Sequence, residues 1–136
     1  MSSVDERERT TEGVTRLRLV DGPLLHPVLC RVVSMVLTRA NWPLDRLDEA
    51  LLVCDALCAH APANARAGGM AFSIQADEQE AELRVWELTP KGAERLLRDS
   101  GLPLVGNVLE QLAERVSVQR QHGGESAQLA IALSSS

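Results

Sequence analysis

At 136 residues, with 45% hydrophobic and 24% charged side chains, the chain has the dimensions of one globular domain and is too short for two separate cores. A formal net charge of -5 provides no general attraction to phosphate backbones or anionic lipid, so neither nucleic acid nor a membrane surface is an expected partner. Apolar runs are broken by Arg31, Arg39 or Asp55, residues 1–12 lack the apolar stretch of a signal peptide, and three cysteines make no even disulfide framework, which together predict a soluble, cytoplasmic protein with reduced thiols.

Residues 1–13 are polar and charged and are expected to form a disordered leader, with the folded domain spanning 14–136. Residues 14–20 alternate apolar with polar and run into Asp21-Gly22, the pattern of a half-buried strand and a turn. Pro23 suits a first helical turn, and Leu24, Val28, Val32, Met35, Val36 and Arg39 follow at three- and four-residue spacing, predicting a helix to Asn41. Pro43 opens a second helix, with Asp45 and Asp48 where the helix dipole favours negative charge. Its predicted stripe is Leu44, Leu47, Leu51, Cys54, Leu57 or Cys58, and Ala61, and the small-residue stretch 62–69 is expected to end it. Segments 70–76 and 81–88 alternate around an acidic turn and predict a hairpin. A short helix is expected over 91–98 and a firmer one over 104–114, followed by a second hairpin, 116–120 with 127–133, around His122-Gly123-Gly124. This order predicts an α+β domain with helices layered on one face of a mostly antiparallel sheet.

Within the second predicted helix, the stretch Leu47-Asp48-Glu49-Ala50-Leu51-Leu52-Val53-Cys54-Asp55-Ala56-Leu57-Cys58-Ala59-His60 places Asp55 four residues before Ala59. It resembles the catalytic helix of the histidine-kinase-like ATPases, and most closely that of the bacterial anti-sigma-factor serine kinases. There an acidic general base is followed one turn later by an asparagine that ligates magnesium. The element order resembles that family over residues 14–133, which implies a two-layer α/β sandwich of the histidine-kinase-like type. By this resemblance Asp55 is the candidate catalytic base. Ala59 stands in the asparagine's place, and its methyl has no lone pair for a hard cation that needs oxygen ligands.

The family's Asp-x-Gly-x-Gly box falls on Glu87-Leu88-Thr89-Pro90-Lys91-Gly92. Glu87 then takes the adenine-contacting place with one methylene too many, Thr89 fills the first glycine's space, and Gly92 is a displaced remnant. The glycine-rich lid box becomes Asp99-Ser100-Gly101-Leu102-Pro103-Leu104-Val105, which keeps Gly101 but sets a carboxylate beside phosphate. The Gly-Thr turn becomes Gly124-Glu125. Glu87, Gly92, Gly101 and Gly124 are thus the candidate nucleotide-binding positions, and the departures around them predict weak or absent ATP binding. Each residue also has an ordinary structural use, as a helix-surface acid, a strand-end acid or a turn glycine.

The expectation is a regulatory protein-binding domain resembling an anti-sigma factor, without kinase activity and without a cofactor. The resemblance implies a sigma factor or an anti-anti-sigma protein as partner, and a homodimer. The alternative is an active ATP-dependent anti-sigma-factor serine kinase that uses ATP and Mg, with Asp55 as base, Glu87 on adenine, and water or Asn64 as the missing ligand. A further alternative is a zinc-stabilised helical hairpin. His26 and Cys30 lie four apart on the first helix and Cys54 and Cys58 four apart on the second, so an antiparallel hairpin about Trp42 sets 26 opposite 58 and 30 opposite 54. Against zinc, the Cys-x-x-Cys knuckle is absent and buried cysteine is a common small core residue. Trp42 and Trp86 are read as packing residues.

Overall fold

The computed structural model describes residues 13–66, 70–102 and 106–136, so the expected leader lies outside the described residues except for Gly13. The chain runs β1 (Thr15–Leu19), α1 (Leu25–Arg39), α2 (Leu44–Asn64), β2 (Met70–Ala76), β3 (Glu80–Leu88), α3 (Gly92–Asp99), β4 (Gly101–Leu102), β5 (Gly106–Asn107), α4 (Val108–Leu112), β6 (Arg115–Gln121) and β7 (Ser126–Ser134). Five strands form one sheet in the order β1-β2-β3-β7-β6, with every neighbouring pair antiparallel. The two-residue strands β4 and β5 pair as a separate ribbon. The expected α+β class with an antiparallel sheet is what the chain forms.

Strand alternation divides the sheet into two chemically different faces. Met70, Phe72 and Ile74 of β2, Leu83 and Val85 of β3, and Leu129 and Ile131 of β7 are buried in one core with the helices. The opposite face carries Arg16 beside Ser73 and Arg84 in register, and Arg18 beside Ala71 and Trp86. Trp86 lies between the Arg16 and Arg84 guanidiniums, 6.0 and 5.8 Å from its ring centre, and donates to Ser73 Oγ at 3.1 Å.

In α1 the core takes Leu25, Leu29, Val33 and Leu37, one position on from the expected stripe. Leu24 and Met35 are exposed, and Val32 and Val36 pack at the margin. Two apolar ridges run side by side on this helix, and the sheet takes the leucine-rich one. The helix ends as a Schellman motif: Asn41 adopts φ 62, its N–H bonds Thr38 O, and the Trp42 N–H bonds Leu37 O. Trp42 is buried and its Nε1 donates to Asp77 O at 2.7 Å, which fixes the interhelical corner to the β2–β3 turn.

Two boundaries differ from expectation. α2 continues through Pro62 to Asn64, because its last carbonyls find partners: the Asn64 side chain turns back and its Nδ2 donates to His60 O at 3.0 Å, and from β3's exit the Thr89 N–H donates to Asn64 O at 2.8 Å. The helix expected over 104–114 is reduced to α4, with 103–105 outside the described residues. Gly106 holds φ 81, and the Asn107 side chain caps α4 by accepting from the Glu110 N–H, so the helix starts there. Leu129, fully buried on the central strand β7, tests the shared core: Leu129→Ala should cost about 2–5 kcal/mol in chemical denaturation with an unchanged fold by circular dichroism.

Candidate functional site

The α1–α2 seam gathers three reactive side chains. His26 and Cys30 project from one face of α1, one turn apart, and Asp55 comes from α2. The His26 ring nitrogen Nε2 is hydrogen-bonded to Asp55 Oδ1. Cys30 Sγ lies 3.4 Å from the same nitrogen and donates to Asp55 Oδ1 at 3.9 Å. The side chains of His26 and Asp55 remain 56% and 40% exposed, so the cluster opens to solvent.

Asp55 raises the pKa of His26 by accepting its hydrogen bond, against a smaller effect of burial. The Cys30 thiol is pushed down, first by a hydrogen bond from Cys54 and also by the nearby imidazole, although burial opposes this. Cys54, buried behind it, is pushed well up by donating that bond and by desolvation. Cys58 is pushed up to about 12, chiefly by burial. The thiols thus divide into one activated sulfur at the opening and two held protonated.

This arrangement revises the expected pairing of the helices. Residue 30 meets 54 as expected, but residue 26 meets Asp55 and not Cys58. Among the described residues, the groups whose ligand atoms all lie within 4.8 Å of one another are His26, Cys30 and Asp55. Cys54 and Cys58 fall outside that set because Cys54 points into the core and Cys58 sits a further turn along α2.

Each candidate nucleotide residue makes its own contact within the fold, and Glu87, Gly92 and Gly101 all meet the last turns of α2 or the residues just after it. Glu87 stands at a bulge between Val85 and Leu88, with φ 59, and its carboxylate pairs with Arg18 on the outer sheet face. It lines a cavity of about 850 Å³ with Arg16, Arg18, Arg66, Trp86 and Ser126, a lining that includes none of Asp55, Gly92, Gly101 or Gly124. Gly92 is required by packing: a Cβ there would meet Asn64 O at 2.4 Å and Thr89 Oγ1 at 2.6 Å. Asn64, the proposed substitute metal ligand, is buried and its Nδ2 donates to His60 O at the end of α2. Gly101 O accepts from His60 Nε2 at 3.1 Å, and Gly124 sits at φ 92 in the β6–β7 connection. Asp99 is an exposed neighbour of Arg98, and Ala59 is exposed.

Sequence reasoning did not single out the cationic cleft of Arg16, Arg18 and Arg66. Part of its signal was available, since Arg16 and Arg18 two residues apart on a strand must share a face. The His26–Asp55 pair had no such signal, because it depends on the rotation of α2 against α1.

No family model and no curated protein matches the sequence. Among solved structures, a chain in the crystal structure of the SiaB-SiaC complex from Pseudomonas aeruginosa is similar, with a TM-score of 0.56, 98% of each chain covered and 10% identity. The likeness is one of fold.

Two outcomes follow from this geometry. Gly92→Ala should lower the thermal midpoint, at a cost of about 1–3 kcal/mol, because backbone at the end of α2 must move. Iodoacetamide at neutral pH should label Cys30 first by mass spectrometry, with Cys54 and Cys58 modified only on unfolding.

Proposed function

We propose that the chain is a regulatory protein-binding domain of the histidine-kinase-like type, resembling an anti-sigma factor, with its nucleotide chemistry lost. The observation that carries this reading is the engagement of Asp55. The carboxylate at the base position is committed to His26 and Cys30 in the α1–α2 seam, and Ala59, one turn on, supplies no metal ligand. A general base must reach the proton it abstracts, and this carboxylate already accepts a hydrogen bond from the His26 imidazole.

Further support comes from the other candidate positions. Gly92 serves contact between protein segments, Asn64 is used within the fold, and Glu87 is paired with Arg18. The fold likeness is to a chain found in a two-protein complex, which suits a domain that works by binding another protein. On this reading the partner is a sigma factor or an anti-anti-sigma protein, the domain acts in the cytoplasm, and it forms a homodimer, which sedimentation measures.

Mg-ATP titration by calorimetry tests the proposal. The expected result is no heat up to millimolar nucleotide and no change in thermal midpoint. Nucleotide at a hundred times its dissociation constant would add about 2.7 kcal/mol of stability. Micromolar binding that supports phosphorylation of a partner serine and disappears in Asp55→Asn would establish the kinase in its place.

A further inference from the structure

His26, Cys30 and Asp55 have the elements of a nucleophile triad but not its wiring. In a Cys-His-Asp relay the thiol and the carboxylate engage opposite ring nitrogens, one giving its proton as the other orients the ring. Here both Cys30 Sγ and Asp55 Oδ1 address His26 Nε2. The imidazole therefore cannot take the thiol proton while the carboxylate holds the far side. Three donor atoms instead converge on one point from two helices, which is the geometry of coordination.

The distances fit a small tetrahedral ion. Zinc–nitrogen and zinc–sulfur bonds of about 2.0 and 2.3 Å at a tetrahedral angle set those donors about 3.5 Å apart. Cys30 Sγ lies 3.4 Å from His26 Nε2, and 3.9 Å from Asp55 Oδ1. Only the imidazole and carboxylate stand closer than two ligands would, as they must when a proton and not a metal joins them. Both are solvent-facing, at 56% and 40% side-chain exposure, and have room to part.

We infer that the open end of the α1–α2 seam binds one zinc ion through His26 Nε2, Cys30 Sγ and Asp55 Oδ1, with water in the fourth position. One nitrogen, one thiolate and one carboxylate suit borderline zinc, whereas magnesium and calcium select oxygen alone. Binding releases the proton between His26 and Asp55, and the Cys30 S–H proton, to solvent. Cys54 is buried and lies outside this donor set. The inference is independent of the regulatory reading, since nucleotide titration does not bear on it.

The test uses the chelator-treated full chain, titrated with zinc against a chromophoric chelator and separately with cobalt. One equivalent should bind, and cobalt should give the intense visible bands of a tetrahedral site together with a sulfur-to-cobalt charge-transfer band. His26→Ala, Cys30→Ser and Asp55→Asn should each weaken zinc about tenfold or more, with folding confirmed by circular dichroism. Cys58→Ser should bind as the unaltered chain does. Absence of zinc uptake and of the cobalt bands overturns the inference. So does affinity that survives His26→Ala, or that is lost in Cys58→Ser, which would restore the two-cysteine arrangement on α2.

Discussion

The seating of α2 against both α1 and the sheet is the constraint on which the rest of the molecule depends. Val53, Cys54, Ala56, Leu57 and Ala61 are all fully buried, which fixes the rotation of the helix about its axis. At about 100° per residue, turning Cys54 and Leu57 inward swings Asp55 to the flank that faces α1 and leaves Ala59 outward. The end of the helix is then locked by backbone contact, Thr89 N–H to Asn64 O and Arg66 N–H to Glu87 O, with Gly92 admitting the approach. The direction of the Asp55 side chain is thus a consequence of core packing and not of any ligand.

The same locking explains the strained residue at the end of β3. Glu87 takes a left-handed backbone conformation where the strand leaves its register with β7 and the chain turns to meet Asn64 and Arg66. Its carboxylate is re-aimed across the outer face toward Arg18. Two chemically distinct surfaces result: a small thiol, imidazole and carboxylate cluster between the helices, and a cationic, Trp86-centred face behind the sheet. A domain arranged in this way offers contact surfaces on both layers.

Much of the fold was legible because successive strand residues face opposite sides of a sheet and carry a period of two, a pattern that β7 keeps in sequence although both its faces are buried. The residues of β2, β3, β6 and β7 alternate cleanly enough to place both hairpins within a residue or two of their observed ends. Helix faces were less legible. α1 carries two parallel apolar ridges, and nothing local decides between Leu24 and Leu25, or Val32 and Val33; the sheet decides. α2 passes through Pro62 because its final carbonyls are met by the Asn64 side chain and by Thr89, the second a partner remote from any local signal. At the candidate site, the residue types of the seam were visible and their register was not. A shift of less than one helical turn replaces Cys58 by Asp55 opposite His26, and changes the donor set from one imidazole with three thiols to one imidazole, one thiol and one carboxylate.

The central claim is that the Asp55 carboxylate belongs to the helix seam, and a double-mutant cycle on metal-free protein with His26→Ala and Asp55→Ala measures it most directly. The imidazole's pKa is raised, so the pairing contributes fully below the ordinary histidine value and is lost as pH rises through the raised one. Partial exposure limits the coupling to about 0.5 kcal/mol near pH 6, and it weakens at alkaline pH as the imidazole loses its charge. A coupling of zero in both pH ranges, with Asp55→Ala alone neutral, would contradict the account and return Asp55 to the position of a free base.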